Sequence, residues 1–192
     1  MDDPAQGGAR IGARIGPNAI LQLVPVLDRL EGRALRDQVL ALAGAVVPPP
    51  DAGMWPEAAC RAVHLAVYHL CADRAARIMA EAGTGTADYI LAHRIPGPAQ
   101  RLIRSVPAWV GARVLTAAIA RHAWTFAGSG RFRTVVRAPL VLEIAANPLS
   151  PGGPCHWHAA VLQRLYRALV WPEARVEPVE DGAVSRFTIR PS

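Results

Sequence analysis

The sequence predicts an α+β fold, on three observations. Apolar residues recur at helical spacing through the first two-thirds of its 192 residues. At Trp124 the character changes to short runs rich in aromatic and β-branched residues, separated by Gly and Pro turn signals. A further helical stretch then leads to Glu180-Asp181-Gly182 between two strand-like runs, a hairpin signal because glycine permits the positive backbone angle such a turn needs. Helices first and antiparallel strands later give the α+β arrangement: a helical N-terminal two-thirds packed on a twisted antiparallel sheet, with a C-terminal helix and hairpin.

Taken in order, Met1 to Gly16 are small, polar and Gly-rich and are expected to be flexible. Pro17 opens a helix carrying Ile20, Leu23, Val24, Leu27 and Leu30, with a kink expected at Pro25. Leu35, Val39, Leu42 and Val46 mark a second helix, which Pro48 to Pro50 end. Pro56 starts a third, with Val63, Val67 and Leu70 on one face. The pattern from Asp73 to Ala82 is helical with Gly83 as its stop, and Thr86 is expected to cap a short helix from Ala87 to His93. Two helical pieces follow Pro96-Gly97-Pro98. Trp124 to Ala127, Phe132 to Arg137 and Leu140 to Ala146 read as three strands of a meander. Ala159, Leu162, Leu165, Tyr166 and Leu169 mark the last helix, and Arg175 to Val179 with Val184 to Ile189 the hairpin.

With 52% hydrophobic residues the chain can bury one core but not two comfortable ones, so 17–192 is read as a single domain. Charge or proline cuts every long apolar stretch, as Arg113 does between Val106 and Ala120, leaving no run of the roughly 20 residues a membrane span needs. The Met-Asp-Asp-Pro start lacks the basic-then-apolar order of a secretory signal, so a cytoplasmic protein is expected. Cys60, Cys71 and Cys155 are too widely spaced for a disulfide framework or a C-x-x-C site. All 21 basic residues are arginine, spread along the chain without a tail or stripe, which argues against a nucleic-acid partner despite the net charge of +6. Arginine does suit bidentate recognition of carboxylates, such as the propionate arms of a ligand.

The densest chemistry lies in Pro154-Cys155-His156-Trp157-His158 at the start of the last helix. An imidazole or thiol beside an indole suits a metallated macrocycle, which needs one axial ligand and a flat apolar wall; a packed tryptophan at a polar helix start is the structural alternative. Magnesium, a hard ion, takes imidazole nitrogen ahead of the Cys155 thiol. His158 is preferred to His156 because it lies one turn into the helix rather than in its first turn. His122, Trp124 and Phe126 form a second candidate group, the two rings sharing a side if the segment is a strand. Cys60, His64, Cys155 and His158 could in principle make a zinc site, but mid-helix spacing points to packing, and zinc is not expected. No G-x-G-x-x-G, P-loop, G-x-S-x-G elbow or carboxylate pair is present, so no intrinsic cofactor and no catalytic residue is assigned.

Thr86 to Pro96, His122 to Gly130, Asn147-Pro148 and Cys155 to His158, taken together, resemble the bacteriochlorophyll-biosynthesis members of the 4-vinyl-reductase domain family, over most of the chain after Gly16. The resemblance implies helices packed on a twisted antiparallel sheet and a place in photosynthetic pigment synthesis. It also implies the activity traditionally given to such proteins, reduction of the 8-vinyl group of divinyl protochlorophyllide or chlorophyllide. Without a visible seat for a reductant, the expected function is to bind a magnesium tetrapyrrole (a Mg-porphyrin, protochlorophyllide or chlorophyllide) and deliver it to a pathway enzyme. The alternative is 8-vinyl reduction with an external reductant. Implied partners are other enzymes of that pathway and at most peripheral contact with the photosynthetic membrane. Many members carry a cysteine in the final strand, where this chain has Ser185.

Overall fold

A computed structural model describes residues 12–191. The elements run β1 (Arg14–Ile15), α1 (Asn18–Leu21), α2 (Leu23–Leu30), α3 (Arg33–Ala43), β2 (Trp55–Pro56), α4 (Glu57–Cys71), α5 (Ala75–His93), α6 (Gly97–Ser105) and α7 (Ala108–Arg121). They continue with α8 (Trp124–Ala127), β3 (Arg131–Arg137), β4 (Leu140–Ala145), α9 (His156–Leu169), β5 (Arg175–Asp181) and β6 (Val184–Arg190). The expected α+β class is the one observed. The last six elements other than α8 and α9 form an antiparallel sheet in the order β3-β4-β6-β5.

α9 is the centre of the molecule. It lies on the sheet and packs against α5 on its other side, and it is buried from Trp157 through Leu162 and again at Leu165, Tyr166 and Leu169. The sheet contributes Leu142, Ile144, Phe187 and Ile189 to this core. On β4 the alternate residue Glu143 faces the other way, opposite Arg133 and Arg186, and its carboxylate accepts from both guanidinium groups at 2.8 Å. That pairing lets a buried acid sit on a central strand.

Several sequence expectations need correction. Gly83 does not stop a helix: α5 runs unbroken from Ala75 to His93. At Gly83 the helix meets α9 so closely that a Cβ would stand 2.3 Å from the Trp157 carbonyl oxygen, so the glycine serves close packing rather than termination. Thr86 is not a cap, because its hydroxyl donates to Ala82 O within α5 and to Asn18 O of α1. Trp124 to Ala127 is not a strand but the helical turn α8, held by Phe126 N–H and Ala127 N–H bonds to Ala123 O. Four residues with alternating bulk cannot be told from a helical turn by period alone. Gly128 ends the turn at φ +54°. α3 stops at Gly44 in the left-handed region, so Val46 lies beyond the helix, and Leu42 and Val46 are exposed rather than core.

At the N-terminus, residues 1–11 of the expected flexible segment lie outside the described residues. Within the described part, Ile15 is fully buried and β1 pairs with β2. Pro25 sits in the first turn of α2, after a break at Gln22, rather than kinking one long helix.

Candidate functional site

The residues grouped around Cys155 and His158 do converge in space, as a buried polar chain. His158 is 2% exposed. Its Nε2–H donates to the Phe126 carbonyl of α8 at 3.2 Å, which leaves Nδ1 as the acceptor facing the Cys155 thiol at 3.2 Å and the Asn147 amide at 3.3 Å. Asn147 Nδ2 also donates to Ser185 Oγ at 2.9 Å, and its Oδ1 accepts from Leu149 N–H. Ser185 Oγ and Ser150 Oγ both donate to Glu180. The chain of bonds thus ties α8, the loop after β4, α9 and the β5-β6 hairpin together. Phe126, Trp157 and Phe187 stand edge-on around the His158 ring.

Burial decides the chemistry here. It pushes the Cys155 thiol up to about 11 and the His158 imidazole down to about 3, so at neutral pH both are uncharged. A neutral pair of this kind is neither an activated nucleophile nor a thiolate ligand. In this structure both His158 nitrogens are engaged within the fold, Nε2–H by a backbone carbonyl and Nδ1 by Cys155 and Asn147, so neither is open to a metal.

His64, whose imidazole burial lowers to about 4, donates from Nε2 to Ala19 O at 2.9 Å. Its Nδ1 and the nearby Trp157 indole N–H have no hydrogen-bond partner among the described residues. Both His64 and His158 are therefore bases held neutral by folding. In the unfolded chain they bind protons near pH 6.5, whereas in the folded chain they do so only near 4 and 3. Their share of stability is complete above pH 6.5 and is lost as pH falls through that window. Urea titrations should show a drop of about 2 kcal/mol per histidine between pH 6.5 and about pH 5. Single His64→Gln and His158→Gln variants should each flatten that slope.

The other expected residues are dispersed. His122 caps the C-terminal end of α7 and is exposed, and Trp124 is 60% exposed, while Phe126 turns inward onto Phe132. His156 is half-buried at the first position of α9. Cys60, pushed up to about 12 by burial, lies within the core. Among the described residues no group of three or more His, Cys, Asp or Glu side chains is placed to hold a metal ion. No helix among them is long and apolar enough to cross a membrane.

The surface of the described residues has shallow concavities, two of which bear on ligand binding. One, of about 360 Å³, lies between α2 and α5 and is lined partly by Arg29, Glu81 and Asp88. The other, of about 280 Å³ between α3 and α4, is lined by Leu42, Ala43, Ala62, Leu65, Ala66 and His69, five apolar residues and one exposed imidazole. Sequence reasoning missed His69. The signal was available: Ala62, Leu65, Ala66 and His69 fall at spacings of three and four on one face of α4.

No model of a known protein family matches the chain. It is 53% identical to the bacteriochlorophyll synthase 23 kDa chain of Rhodobacter capsulatus over 90% of its own length and 83% of the relative's. To the protein of the same name from Cereibacter sphaeroides it is 52% identical, covering 91% of this chain and 87% of that one. Among solved structures, the Fe(II) unliganded H-NOX protein from K. algicida superposes with a TM-score of 0.63 at 11% identity, over 93% of this chain and 97% of that chain. A structure solved to probe heme distortion in the H-NOX family gives a TM-score of 0.57 at 13% identity over the same shares. At such low identity these two show the shared fold. Identity above one half across nine-tenths of the sequence shows more: the chain belongs to the family of the bacteriochlorophyll synthase 23 kDa chains.

Proposed function

We propose that this protein binds a magnesium tetrapyrrole of bacteriochlorophyll synthesis in an open site and passes it to another enzyme of that pathway. One conjunction carries the reading. A member of a family named for bacteriochlorophyll synthase has the fold of H-NOX proteins, whose structures are described by their Fe(II) state and heme distortion, and heme is an iron tetrapyrrole. The assignment to the 4-vinyl-reductase domain family belongs to the same proposal.

The ring's place is the α3-α4 groove. Leu42, Leu65 and the alanines supply an apolar wall, and the chain that follows α3 carries two further exposed apolar residues, Val46 and Val47. His69 offers an accessible imidazole nitrogen of the kind magnesium accepts as an axial ligand. At about 280 Å³ the groove falls just below the range of pockets that enclose a ligand, about 300–1,000 Å³. So open a groove would contact part of one face of a macrocycle and leave the other free, which suits transfer better than chemistry that must exclude water.

Titration of the full chain with magnesium protoporphyrin should sharpen and shift the visible bands and saturate at micromolar pigment. His69→Ala should weaken binding by about tenfold or more and alter those bands, while His122→Ala leaves both unchanged. No spectral change with the wild-type chain would sink the reading. A parallel incubation with divinyl protochlorophyllide and NADPH, reduced ferredoxin or reduced flavin should give no monovinyl product; turnover with any donor would replace the carrier reading with 8-vinyl reduction.

A further inference from the structure

Between Asp88 and Glu143 the chain has eight arginines and not one acidic residue, leaving thirteen arginines against fifteen acidic residues in the rest. This span, 89–142, contains α6, α7, α8 and β3, which are contiguous in space, α6 packing on α7 and α7 on β3. Six of the ten exposed large hydrophobic residues among those described lie in it: Leu102, Trp109, Val114, Trp124, Val135 and Val136.

α7 shows the pattern most clearly. Gly111, Ala112, Leu115 and Ile119 face inward. A surface helix should be polar on the opposite side. Here that side carries Trp109, 61% exposed, Val114, 46% exposed, and the exposed Arg113 and Arg121. The Arg113 guanidinium lies 5.0 Å over the Trp109 ring. On α6, exposed Leu102 stands between Arg101 and Arg104, and Arg104 is tied to the Ala168 carbonyl and the Gln100 amide oxygen rather than to a carboxylate. Apolar side chains flanked by guanidinium groups, with an indole at the boundary, match an interface that is negatively charged outside and greasy beneath.

We propose that the α6-α7 face docks on the surface of a bilayer containing anionic lipid, with Trp109 and Leu102 entering the headgroup region and the arginines meeting lipid phosphates. This is contact with the surface only, and it does not depend on the pigment reading. It would hold the protein where an amphiphilic ligand partitions.

The test uses the full chain without pigment, floated with vesicles of phosphatidylcholine alone or of phosphatidylcholine with phosphatidylglycerol. The chain should partition onto the anionic vesicles, stay off the neutral ones, and be released as salt shortens the range of the attraction. Arg113→Glu should weaken partition by about tenfold or more, whereas Arg175→Glu, an equal change of charge on the opposite sheet edge, should do much less. Trp109→Ser, at an exposed position, should also weaken binding and carries the test if circular dichroism shows Arg113→Glu misfolded. Equal partition onto neutral vesicles, no binding to anionic ones, or equal effects of Arg113→Glu and Arg175→Glu would overturn the proposal; failure to bind anionic vesicles would leave this face to an acidic protein partner.

Discussion

Gly83→Ala should cost about 2–3 kcal/mol of unfolding free energy, although alanine is the better helix former. The new Cβ would lie 2.3 Å from the Trp157 carbonyl oxygen and 3.0 Å from the Ala160 Cβ. Neither neighbour can swing aside, since one is backbone and the other the only side-chain carbon of a buried alanine on α9. α5 and α9 must therefore separate along their contact, and the packing loss spreads over the centre of the core. Gly85, two residues on in the same helix, is the control. A Cβ there meets only the side chain of Gln22, at 3.3 Å, so Gly85→Ala should be neutral or stabilising by up to about 1 kcal/mol. Parallel urea titrations would separate the two, and equal stability of both variants would contradict the close approach of α5 to α9.

The second large effect is expected at His158. Removing its ring with His158→Ala opens a cavity among Phe126, Trp157 and Phe187 and takes away a partner of the Asn147 amide and the Phe126 carbonyl. A loss of about 3–4 kcal/mol follows from the cavity and the unpaired groups together. Any fraction that folds should bind tetrapyrrole as the wild type does. Were His158 the axial ligand, as its place one turn into the helix suggests from sequence, the same substitution would spare the fold and weaken binding. A stable His158→Ala protein that had lost its pigment spectrum would restore the sequence expectation and remove the structural one.

That reversal shows what was legible in the sequence and what was not. Period and turn chemistry were enough for α+β, for α9, and for the β5-β6 hairpin at Gly182, whose φ of +60° is the one the turn requires. They failed where a residue's role is set by a neighbour distant in the chain. Gly83 reads as a stop because helices often end on glycine, yet its reason is α9, more than seventy residues away. Trp124 to Ala127 has strand-like alternation, yet bonds back to His122 and Ala123, the tie of Glu57 to Ser129 and the His158 bond to the Phe126 carbonyl hold it as a turn. The density of chemistry around Cys155 and His158 is visible in the sequence. Spacing cannot say whether such a pair faces a ligand or closes a polar network inside the core. His69 shares a face of α4 with Ala62, Leu65 and Ala66 by spacing alone, but only the α3 residues opposite it, Leu42 and Ala43, turn that face into a groove. The charge pattern was hidden for a different reason: it is marked by missing acids over 89–142, not by a run of arginines.

The two outer edges of the sheet are where another polypeptide can add a strand. β3 and β5 are its outer members. β3 loses its register between Thr134 and Val136, and exposed Arg131 and Arg133 flank its course. β5 has Pro178 at its centre, opposite Phe187, so one amide hydrogen is missing from that edge. An incoming strand would meet a kink and cationic charge at one end and a gap in the donor row at the other. The sheet is thereby closed to growth by edge pairing, and resistance to fibre-like self-association is built into the same strands that cradle α9.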